Sequence, residues 1–127
     1  MNPYVIGLAE ESLMGAGLDG EARGLALRCE TLYPDFAQPF ADVGSMALRQ
    51  GRYGDAADTL AIAVRKDWHG DPQGQAKTWE NLSTAYLRLE KYDEARAAAE
   101  SALRLNAALP VASENRLEAV RLRAGHD

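Results

Sequence analysis

The stretch Trp79-Glu80-Asn81-Leu82-Ser83-Thr84-Ala85-Tyr86, followed by Lys91-Tyr92-Asp93-Glu94-Ala95, decides the fold of this chain. Trp79, Leu82 and Tyr86 stand at i, i+3 and i+7, so they share one face of a helix. Tyr92, Ala95, Ala99 and Ala102 mark a second helix with a facing stripe. Ser83 and Ala95 are small where two backbones must approach. A hairpin of two such helices cannot bury its apolar face alone, so it needs neighbours stacked on it.

Working outward, the neighbours are present in the sequence. Arg52-Tyr53-Gly54-Asp55-Ala56 aligns with Lys91-Tyr92-Asp93-Glu94-Ala95, and Leu18-Asp19-Gly20-Glu21-Ala22 fits the same slot. In the middle unit Phe40, Val43, Gly44 and Ala47 fill the first helix, and Gly51, Tyr53, Ala56, Leu60 and Ala63 fill the turn and second helix. Gly44 and Ala56 are its small pair. In the first unit Ile6, Ala9 and Leu13 precede Gly17, Ala22, Ala26, Cys29 and Pro34. This pattern resembles the tetratricopeptide repeat, which the third unit matches except for Ala99 in the bulky aromatic place and Ala107 in the closing proline place. Glu10 falls where the first unit should have a small residue, and a shift of one residue would put Ala9 there. The resemblance implies an all-α fold: a right-handed superhelical stack of three helical hairpins over about residues 3–36, 37–70 and 76–109, in one domain spanning 1–127.

The first two units are offset by the family's 34 residues. Residues 71–75 then lengthen the spacing to the third. Asp71-Pro72 reads as an N-cap with proline at the first helical position, which would extend the next helix back to Pro72. Gly70 and Gly74 favour a loop instead. Asp19 and Asp35 also read as N-caps. Beyond Pro110, Leu117, Val120 and Ala124 share one face while Glu114, Arg116, Glu118, Arg121 and Arg123 are polar. The expectation is a capping helix over about 110–124 that lays the Leu117/Val120/Ala124 face on the last hairpin.

Composition agrees with packed helices. Apolar residues make up 46% and charged residues 26%, as in ordinary globular proteins. Alanine supplies much of the apolar share, and no alternating β-branched runs suggest a sheet. The net charge of −5, without a basic cluster, argues against nucleic acid. No apolar run reaches the ~18 residues of a membrane span, and Glu10 and Glu11 interrupt the N-terminal apolar stretch too early for a signal peptide. The single Cys29 permits no internal disulfide. A cytoplasmic compartment is expected, and the excess of arginine over lysine suggests a bacterial source.

The resemblance also places function. In tetratricopeptide arrays the first helices line a concave groove. Lys77, Asn81, Thr84 and Arg88 run at i, i+4, i+7 and i+11, about 200° from the Trp79 stripe. Gln38, Asp42, Ser45 and Arg49 repeat that spacing in the second unit, and Tyr4, Leu8, Glu11 and Gly15 in the first. Any amphipathic helix needs a polar side, so the stripes also read as solvated faces. As a groove they imply a protein or peptide partner of mixed charge. The family's carboxylate clamp for acidic chaperone tails would need basic and amide residues where Gly7, Glu11, Asp42, Lys77 and Asn81 stand. Only Lys77 fits, and Glu11 and Asp42 would repel such a tail.

No catalytic site, cofactor or metal is expected. His69 lies between Asp67 and Asp71 beside Trp68, but these read as a repeat end and its loop, without the oriented partner that a catalytic histidine needs. His126 is in the tail, and two separated histidines with one cysteine make no zinc site. Cys29 sits in a packing position. The expected function is a non-catalytic adaptor for protein–protein binding. Two alternatives remain: a bacterial chaperone resembling those of type III secretion, which would want a more apolar groove, and a self-assembling module in which Tyr4, Val5, Ile6 and Leu8 pack on a second copy as a homo-oligomer.

Overall fold

The computed structural model describes residues 35–125, and the first unit, with Tyr4, Leu8, Glu11, Gly15, Asp19 and Cys29, lies outside them. Five helices follow in order: α1 Ala37–Arg49, α2 Tyr53–Ala63, α3 Pro72–Arg88, α4 Tyr92–Leu105 and α5 Pro110–Gly125. α1 packs on α2, α3 on α4, and α5 on both α4 and α3, while α2 joins the two hairpins by packing on α3. Among the described residues this is an all-α repeat stack with no strand, apart from an isolated bridge between Phe36 and Asp67. That bridge ties the start of the first described hairpin to its end, through Ala37 N–H to Asp67 O (3.1 Å) and Asp67 N–H to Asp35 O (3.0 Å).

The two hairpins turn by the same device. Arg52 N–H reaches Ala47 O at 2.9 Å and Gly51 N–H reaches Leu48 O at 3.1 Å; Lys91 repeats the first to Tyr86 O (2.9 Å) and Glu90 the second to Leu87 O (3.0 Å). This is a Schellman ending, which needs a left-handed residue just past the helix. Gly51 supplies it at φ 77°, whereas Glu90 holds φ 60° with a side chain in place.

The helix reading of residues 71–75 prevails over the loop. Asp71 Oδ1 accepts from Gly74 N–H at 3.0 Å, Pro72 occupies the first helical position, and the Thr78 hydroxyl donates to Gly74 O at 2.9 Å. Asp35 does not cap α1: Phe36 is the N-cap residue and no side chain bonds there.

Small residues set the spacing of the helices. Ala56, Leu60, Ala63, Ala95, Ala99 and Ala102 have no exposed surface. At Gly44 an added Cβ would stand 2.6 Å from Leu60 Cγ and Cδ2, closer than side-chain carbons approach, so glycine is required for α1 to lie on α2.

α5 corrects the sequence reading. Its buried residues are Ala112 and Ala119, while Leu117 is 65% and Val120 46% exposed, and Ala124 is exposed as well. The apolar face expected to cap the stack faces outward. The inward face was harder to recognise because its anchors are alanines and polar side chains.

Candidate binding groove

α1, α3 and α5 lie side by side, since α3 touches both of the others. The stripes predicted from sequence line this row, with each helix presenting the same heptad-like places. α1 carries Gln38, Asp42, Ser45 and Arg49; α3 carries Lys77, Asn81, Thr84 and Arg88. Counting 34 residues on from α3 gives Val111, Asn115, Glu118 and Leu122 on α5.

The middle of the row is spent on structure. Asn81 donates from Nδ2 to Ser45 Oγ at 3.4 Å, and Asn115 donates to Thr84 Oγ1 at 2.9 Å and to Ser83 Oγ at 2.8 Å. An amide on each helix therefore reaches a hydroxyl on the preceding one. Buried polar groups need such partners, and these bonds set the register between helices. Asp42 is not outward-facing either: it is 6% exposed and accepts from Gln38 Nε2 at 2.8 Å. These positions are half-buried or buried, so less of the stripe is open to a ligand than its spacing suggests.

Arg49, Lys77 and Arg88 remain exposed at the ends of the row. Lys77 Nζ donates to Glu80 Oε1 at 2.6 Å with its own side chain 60% exposed. Glu80, by contrast, is buried, and its Oε2 accepts from the Ala112 N–H at 3.0 Å in the first turn of α5. Unpaired N–H groups at a helix start favour a carboxylate there, both as an acceptor and against the positive end of the helix dipole. Between α3 and α5 a cleft of about 300 Å³ opens, lined by Thr84, Leu87, Arg88, Asn115, Glu118 and Leu122. It sets a cation and a carboxylate around two leucines.

Sequence reasoning missed Glu80, Asn115, Glu118 and Leu122. The last three were accessible by carrying the 34-residue offset past Asn81, Thr84 and Arg88 into α5. Glu80 carried no such signal, since its partner is a backbone N–H 32 residues away.

The His69 loop gathers little. The His69 N–H donates to Asp67 Oδ1 at 2.7 Å, and its ring lies 4.9 Å from that of Phe36. Among the described residues no group of three or more His, Cys, Asp or Glu side chains is placed to hold a metal, and no helix is long and apolar enough to cross a membrane.

Comparison with known proteins bears on the whole row. The family model for the tetratricopeptide repeat matches residues 44–110 and, overlapping it, 80–124, more than half of the chain. Comparison with curated proteins gives no match.

Proposed function

Because the chain belongs to the tetratricopeptide repeat family, whose repeats mediate protein–protein interaction, we propose that it is a non-catalytic adaptor that holds a mixed-charge peptide or partner helix along α1, α3 and α5. The observation that carries this reading is the cleft between α3 and α5, where Arg88 and Glu118 flank Leu87 and Leu122. Charges of both signs select register and partner, while the leucines provide apolar contact. Arg49 and Lys77 extend the row at its other places. Tyr4 and Glu11 would continue it in the first unit.

The charge pattern argues against acidic chaperone tails, because Lys77 is engaged with Glu80 and Glu118 joins the acidic side of the groove. Capture of partners with the wild-type chain and with the Arg49→Ala/Arg88→Ala variant tests the reading. The expected result is a partner lost or weakened in the variant. Unchanged affinity of a purified partner for the variant moves the site to another face, and micromolar calorimetric binding of an acidic chaperone-tail peptide refutes the charge argument.

Self-assembly is the second reading, and the outward Leu117/Val120 face of α5 favours it. Sedimentation at several concentrations distinguishes it, since Leu117→Asp should then remove any larger species.

A further inference from the structure

A different concavity lies between α2 and α4, on the side of α3 turned away from the groove. Its floor is Trp79, Leu82 and Tyr86. Leu82 is sealed at 2% exposure, but Trp79 and Tyr86 are only half-buried. The walls explain this. α2 and α4 present Ala61, Ala97, Ala98 and Ser101, side chains too short to meet over the aromatic rings, and about 200 Å³ is left open. Pockets for drug-sized ligands begin near ~300 Å³, so this one suits a single side chain.

The rim is charged. Arg65, just beyond α2, and Glu94, in the first turn of α4, line it. Both act on the Tyr86 hydroxyl at the floor. Burial raises its pKa above 10.0, Glu94 and Asp58 raise it further, and Arg65 opposes them. Two carboxylates against one guanidinium leave an excess of negative charge beside an apolar floor, which favours an entering cation.

We propose that this cleft is a second binding site, taking one bulky aliphatic side chain of a partner peptide whose next residue is lysine or arginine. The aliphatic group covers Trp79 and Tyr86, and the cation faces Glu94. None of its lining residues belongs to the α3–α5 cleft, so the two sites can be occupied together.

Trp79 reports on occupancy directly. The probes are N-acetyl-Leu-Arg-amide and, as charge control, N-acetyl-Leu-Glu-amide, titrated into the full chain up to about 10 mM while indole and amide N–H resonances are followed. The expected result is a saturable shift of the Trp79 indole, with the Trp68 indole unmoved because it is bonded to Ala63 O. The arginine probe should bind about two- to fivefold more tightly than the glutamate probe, the range of an exposed charge contact. Ala97→Leu, at an exposed wall position, should fill the cleft and abolish the shift. Glu94→Lys should invert the preference, and this arm stands even if the first variant disturbs folding. An unmoved Trp79, equal affinity for the two probes, unchanged binding to folded Ala97→Leu, or shifts confined to Asn81 and Arg88 would each overturn the proposal.

Discussion

Removing the Glu80 carboxylate should loosen α5 before anything else. The side chain is 2% exposed; one oxygen takes Lys77 Nζ and the other the Ala112 N–H. Lys77 is 60% exposed, so that pair contributes little. The bond to Ala112 is different, because it is charge-assisted, buried and made to a helix N-terminus. Such a bond contributes about 1.5–3 kcal/mol, and its loss leaves a buried N–H without an acceptor. Glu80→Ala also removes packed methylene groups, at ~0.8 kcal/mol each, and regains a few tenths of a kcal/mol of helix propensity. The net expected cost is about 2–3 kcal/mol. Glu80→Gln keeps the length and an acceptor oxygen but loses the charge, and should cost about 1 kcal/mol. Urea unfolding followed by circular dichroism gives both values. Amide exchange should show lost protection concentrated in α5, whose remaining anchors are Asn115 and two alanines. A cost below about 0.5 kcal/mol for Glu80→Ala, or protection lost evenly over α3 and α4, would refute the argument.

Three further outcomes follow from particular contacts. Gly44→Ala gains about 1 kcal/mol of helix propensity but drives a methyl into Leu60, so a net loss of about 1–2 kcal/mol is expected; in a Leu60→Ala background it should cost nothing, which a double-mutant cycle reads. Glu90→Gly should stabilise by about 0.5–1 kcal/mol, since glycine holds the φ of 60° without the side-chain penalty that exceeds its entropic cost; a lower melting temperature would contradict this. Tyr86 has its folded pKa raised by burial, then by Glu94 and Asp58 against Arg65, so the folded state holds the phenolic proton more tightly than the unfolded state. Its contribution to stability is complete below pH 10 and is lost as pH rises above 10 through the folded value. In Tyr86→Phe this part of the alkaline loss should vanish, and equal slopes for both proteins would show that the hydroxyl is not responsible.

Much of the architecture could be read from spacing alone. Trp79, Leu82 and Tyr86 at i, i+3 and i+7, repeated turn segments and the Asp71-Pro72 start all act within one helix or one turn, where local stereochemistry decides. The family match over residues 44–124 agrees with that reading. Tertiary structure decided what depends on distances between helices. On α5 the larger apolar side chains promised the inward face, yet Ala112 and Ala119 lie inside with Asn115 beside them. Close approach to α3 admits only short side chains, and bonds to Glu80, Ser83 and Thr84 select the register, so Leu117 and Val120 are turned out. The groove shows the same division: periodicity placed Asn81 and Thr84 on one stripe, but only their neighbours' hydroxyl and amide groups show how much of that stripe stacking consumes. The cleft over Trp79 exists because α2 and α4 stand apart with alanines between them, a volume set by three helices at once that no single stretch of sequence encodes.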